Sequence, residues 1–146
     1  MIILVKVNQM YKPGSDPKKS AYRSWILGGL IDDPKLRNQY KYLVAYYYGE
    51  VVGTFCIHGV ALDPPYSGNK RQVKFLLEKT SEECDDVLKQ IIADLIQSGS
   101  NKIRKTISCC KIDTNHLKKF SVSHLNLNCV CALGTIPVLD SNDILL

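Results

Sequence analysis

No apolar run in this 146-residue chain approaches the roughly 20 residues that a membrane-crossing helix needs. The N-terminal run Ile2 to Val5 is interrupted by Lys6 and is too short for the core of a secretory signal. No membrane partner is expected. Histidine is scarce at three residues, and tryptophan occurs once, at Trp25. The sequence has no glycine-rich phosphate loop, no Gly-x-Ser-x-Gly elbow and no His-Glu-x-x-His pair, so no catalytic residue and no cofactor is assigned. Internal repeats and low-complexity tracts are absent too, which excludes a fibrous chain and wholesale disorder.

What is present is ordinary globular composition, 45% hydrophobic and 23% charged, in a chain of single-domain size. The expected division is one α+β domain over residues 1–133 and a C-terminal tail over 134–146. The net charge is +5 and unevenly spread. Residues 1–79 carry 12 Lys and Arg against 6 Asp and Glu, residues 80–100 carry 1 against 5, and residues 101–146 carry 6 against 3. A mildly basic body with one acidic segment suits a polyanionic partner.

Six cysteines without a secretory signal point to a reducing, cytoplasmic compartment in which thiols stay free. Cys109-Cys110 and Cys129-x-Cys131 have His116 and His124 between them. Structural zinc sites use cysteines two to four residues apart, whereas adjacent cysteines on a strand point to opposite faces. Free thiols packed as small hydrophobes are therefore expected, and no metal site is assigned.

Hydrophobic patterning supplies the elements. Residues 2–7 are β-rich and end at a Lys-Pro-Gly-Ser-Asp loop, and 17–27 suit a helix of about three turns stopped by Gly28-Gly29. In such a helix Tyr22, Trp25 and Ile26 would share one face, with Arg23 to its side. Residues 30–39 suggest a turn and a short helical piece. Residues 40–60 form two β runs around Gly49-Glu50, a hairpin, with Tyr46, Tyr47 and Tyr48 alternating between faces. Residues 61–70 read as a loop, and 71–78 as a half-buried strand through Val73, Phe75 and Leu77. The clearest helix is amphipathic, residues 81–98, with Thr80 and Glu83 as a capping box. Strands are expected at 102–112 and 128–133.

The order "ILVKVNQMYKPG", "AYRSWIL", "YKYLVAYYYGEVVGTFCI" and "RQVKFLLE" resembles a small prokaryotic and phage domain that also accompanies GIY-YIG-type nuclease domains. The resemblance covers residues 1–78 through Asn8, Tyr22, Trp25, Gly49 and Phe75, with Arg23 near the family's arginine. The nuclease activity itself is not assigned, because a loop and another strand follow the tyrosine-bearing hairpin. The resemblance implies a curved antiparallel or mixed sheet, a partial barrel of the kind used by PUA-like and ASCH-like readers, in phage or defence contexts.

Aromatic rings stack on bases, and nearby cations reach phosphates. The candidate nucleic-acid-binding residues are Asn8, Tyr22, Arg23, Trp25, Lys70, Arg71 and Lys74. The expected function is a non-catalytic module that binds a nucleic acid or nucleotide. One alternative is a protein-interaction factor using the 81–98 helix, whose mark would be an exposed apolar stripe. The other is a nuclease or hydrolase, whose mark would be His58, His116 or His124 converging with a carboxylate in a pocket.

Overall fold

The computed structural model describes residues 2–8, 10–24, 29–63, 72–97, 109–112, 135–140, 142 and 144. The elements are β1 (Ile2–Lys6), α1 (Lys18–Ala21), β2 (Arg23–Ser24), α2 (Gly29–Asp32), α3 (Pro34–Gln39), β3 (Tyr42–Tyr47), β4 (Glu50–Asp63), β5 (Gln72–Lys79), α4 (Glu82–Gln97) and β6 (Cys109–Ile112). The strands form one open mixed sheet in the order β2-β5-β4-β3-β1-β6. β1 and β3 run parallel, and the other named pairs are antiparallel. The α+β class and the partial, unclosed sheet agree with expectation.

Alternation along β1 and β3 explains the layering, because successive side chains leave a strand on opposite faces. Ile3, Val5, Leu43 and Ala45 join Leu30, Phe55, Phe75 and Ile136 in one core. Ile2, Leu4, Tyr42, Val44 and Tyr46 join Cys84, Val87, Leu88, Ile91, Ile92 and Leu95 of α4 in the other. The sheet thus lies between α4 and a layer of short helices. β4 keeps its inward register through a bulge: Ile57 pairs with Leu77 and Gly59 with Leu76, which leaves His58 as the extra residue. That shift in parity puts Val60 on the same face as Ile57, and both are buried there.

Several boundaries differ from the sequence reading. The 17–27 helix is cut to the four residues of α1, because Arg23 and Ser24 pair with Lys74 and Val73 of β5. No side chain caps α1 at Pro17 and no acid lies in its first turn, so a short helix with little intrinsic support yields to sheet pairing. Tyr22 follows α1 as its C-cap and is not part of a helical face. Residues 61–63, expected in a loop, continue β4. The cap of α4 moves one residue, from Thr80 to Ser81, whose hydroxyl accepts the Cys84 N–H at 3.3 Å. In the segment set apart as a tail, Val138 bridges in parallel to Val60, with Val60 N–H to Pro137 O at 3.0 Å and Leu139 N–H to Val60 O at 2.7 Å. The strands expected at 102–108 and 128–133 lie outside the described residues.

Candidate nucleic-acid interface

The hairpin between β3 and β4 turns through Tyr48 and Gly49, at φ 41° and 92°. Two successive positive φ values define a type I′ turn, whose twist matches the flanking strands. The turn pair is therefore Tyr48-Gly49, one residue earlier than the expected Gly49-Glu50. Glu50 already belongs to β4, opposite Tyr47. The first turn position favours Asn, Asp or Gly, and a tyrosine held there bears roughly 1–2 kcal/mol of backbone strain.

Three tyrosine rings gather at this turn. Tyr47 and Tyr48 meet edge to face with centroids 4.7 Å apart and planes at 81°. Tyr11 meets Tyr47 at 5.0 Å and 69°. Contacts of this geometry contribute about 0.5–1.5 kcal/mol each beyond burial. Tyr11 arrives there because Met10 N–H and Tyr11 N–H both donate to Val7 O, which curls the chain as it leaves β1. Tyr47 packs on the core, whereas Tyr48 is 70% exposed, as is Met10. Lys12 is exposed directly after Tyr11. Glu50, which follows the turn, is also exposed.

Of the sequence-predicted residues, Asn8 is brought to this cluster: its Oδ1 accepts the Tyr48 N–H at 3.1 Å and so fixes the turn. Tyr22 lies elsewhere, half-buried against the core, with its carbonyl accepting the Phe75 N–H at 2.8 Å. Arg23 stands opposite Lys74 in the β2-β5 register. Trp25, Lys70 and Arg71 lie outside the described residues. The sequence reading assigns Tyr47 and Tyr48 to a strand and gives no binding role to them, to Tyr11 or to Lys12. The available signal was the tripeptide Tyr46-Tyr47-Tyr48 directly before Gly49, since a type I′ turn takes the residue before its glycine out of the strand. Tyr46, on the α4 face, and Tyr47, on the other, do alternate as expected.

Other polar clusters have structural roles. The Thr54 hydroxyl donates to Asp85 Oδ1 at 2.7 Å and contacts the Thr80 hydroxyl, tying α4 to the sheet. Burial pushes the Asp85 carboxyl up, but hydrogen bonds from Lys89 and Thr54 and the charges of Lys89 and Lys79 outweigh it, and its pKa lies below the ordinary value. The Lys89 amine, 2.8 Å from Asp85, is raised by that hydrogen bond against a smaller opposing effect of burial. Arg37 donates Nε to Ile136 O at 2.7 Å and Nη1 to Leu30 O and Ile31 O at 3.1 Å. Asp33 caps α3 by accepting from the backbone of Lys35 and Leu36.

The alternative functions meet specific observations. His58, on its bulge, pairs with Glu78 at 3.2 Å, both side chains exposed, as a cross-strand surface pair. His116 and His124 lie outside the described residues. The apolar side of α4 faces the sheet, and the large apolar residue exposed on this helix is Ile96, at 42%. Among the described residues no group of three or more His, Cys, Asp or Glu is gathered to hold a metal. Cys109 and Cys110 stand opposite Val5 and Leu4 in the β6-β1 register. Cys56 is disulfide-bonded, which corrects the expectation of free thiols at that position, whereas Cys84 is free and buried. No described helix is long and apolar enough to cross a membrane.

No family model matches this chain, and neither a curated protein nor a solved structure matches it significantly.

Proposed function

We propose that this chain is a non-catalytic module that binds a nucleic acid or nucleotide. The observation that carries the reading is the Tyr11-Tyr47-Tyr48 ring cluster, which has the exposed Tyr48 at one end and, at the other, Tyr11 followed in the chain by the exposed Lys12. Aromatic faces accept bases and cations accept phosphates, and this surface offers both. The Arg23-Lys74 register places two further cations on adjacent strands.

The test is fluorescence anisotropy of labelled DNA and RNA oligonucleotides titrated with the full chain at several salt concentrations. Saturable binding that weakens steadily as salt rises is expected, because each neutralised phosphate releases a counterion. Absence of salt-sensitive binding to every DNA and RNA tested sinks the proposal.

A further inference from the structure

We infer that Tyr48 is a stacking platform for an unpaired nucleobase, so that the module selects single strands over duplexes, and that Asn8 is its positioning residue. This inference rests on the nucleic-acid reading above and names the ligand of the same surface.

The first ground is conformational. Tyr48 sits at φ 41° in the turn position where Asn or Gly is easiest, and the residue is 70% exposed, so core packing does not account for a bulky residue there. A strained side chain that buries little points to a role in presentation. The second ground is rigidity. The Tyr48 amide is held by Asn8 Oδ1 at 3.1 Å, and its ring is braced by the Tyr47 ring at 81°, which is itself braced by Tyr11. A ring fixed on both its backbone and one side loses little freedom when a ligand stacks on it.

The geometry also selects the ligand. Rings in an edge-to-face chain leave no pair of parallel planes, so the cluster offers single faces. A base inside a duplex has both faces covered by its neighbours and only the terminal pairs have one free, whereas every unpaired base has a face to give. Lys12, next to Tyr11, supplies a cation for the adjoining phosphate. A single-stranded oligonucleotide fits these features, with one base on Tyr48 and its backbone running toward Lys12.

The test compares a fluorescein-labelled twelve-nucleotide oligothymidine with a blunt duplex of the same length, using the full chain at fixed low salt. Wild type is expected to prefer the single strand. Tyr48→Phe, which keeps the ring, is expected to bind as wild type. Tyr48→Asn, which suits the turn but has no ring, is expected to lose about 5- to 150-fold in single-strand affinity, the range that one lost base-aromatic stack implies. Its melting temperature should stay within about 3 °C of wild type, which separates lost stacking from lost folding. Asn8→Ala is expected to weaken single-strand binding while leaving duplex binding unchanged, a split that general destabilisation does not produce. If wild type binds the duplex equally well, or Tyr48→Asn binds the single strand as tightly as wild type, this inference falls while the nucleic-acid reading stands. If wild type binds no oligonucleotide at all, the nucleic-acid reading falls and this inference with it.

Discussion

Replacing Thr54 with valine removes a hydroxyl, at almost constant volume, from a residue that is 2% exposed. In the native chain that hydroxyl donates to Asp85 Oδ1 at 2.7 Å and accepts from the Thr80 hydroxyl. A hydrogen bond to a charged group contributes about 1.5–3 kcal/mol. The Thr80 hydroxyl retains a second acceptor, the Thr54 carbonyl at 3.4 Å, so its orphaning adds little. The expected loss is therefore about 1.5–3 kcal/mol, a fall in melting temperature of about 5–10 °C for a chain of this length. Urea unfolding followed by far-ultraviolet circular dichroism reads it, since α4 is the longest helix described and is the element that would come loose. The loss should also depend on pH. Asp85 has a lowered folded pKa, so its contribution is present above the ordinary carboxylate value near 4 and disappears as pH falls through the lower folded value. The wild-type advantage should thus be full at pH 7 and shrink below about pH 4. Thr54→Val should cost much less in an Asp85→Ala background, which has no side-chain acceptor, than alone. Equal costs in both backgrounds, or no cost at pH 7, would refute the account of Thr54 as the tie between α4 and the sheet.

Three further outcomes follow from other contacts. Arg37→Met removes the donor shared by Ile136 O, Leu30 O and Ile31 O, and should speed hydrogen exchange at Leu139 and Val60 while leaving Leu4 and Val44 protected. Gly59→Ala places a Cβ 2.5 Å from Leu139 Cδ1 and 3.0 Å from its Cγ, so Leu139 must move and the 137–139 backbone bridge should weaken. Retained protection at Leu139 in that variant would show that the side chain alone gives way. With Cys56 disulfide-bonded, the unreduced, denatured chain should titrate at most four of its six thiols, and titration of all six would exclude the bond.

The fold was legible where a single period dominated. Val73, Phe75 and Leu77 alternate and are buried on one face, and Cys84 through Leu95 follow the helical repeat and cover the other. Local signals failed where a distant partner decided the outcome. The 17–27 segment has helical spacing, but the open edge of β5 offers Arg23 and Ser24 backbone partners that no sequence window contains. The same applies to Thr80, whose capping pattern is sound, yet its hydroxyl is engaged by Thr54, twenty-six residues earlier, and Ser81 takes the cap. Arg37, in a segment that reads only as a turn and a short helical piece, is directed at the Ile136 carbonyl ninety-nine residues away.

The candidate interface shows the same limit from the functional side. Asn8 was singled out as a polar residue at a strand end that could touch a ligand, whereas its side chain is engaged by the Tyr48 amide. Its proposed contribution passes through the ring it positions. A turn at Gly49-Glu50 puts Tyr48 in the strand, whereas a turn at Tyr48-Gly49 makes it an exposed ring with positive φ, so one residue of register separates the two. A type I′ turn needs two left-handed residues, and a lone glycine supplies only one of them. Either neighbour of Gly49 could have been the second, Tyr48 or Glu50. Strand register decides between them: Glu50 opposite Tyr47 leaves Tyr48 as the residue that must adopt positive φ. Pairing energy along β3 and β4 thus holds a tyrosine in a conformation it would not choose alone. A tyrosine in a sheet would have been stable without strain, so at Tyr48 the pairing of β3 with β4 and the contact with the Tyr47 ring offset a local backbone cost.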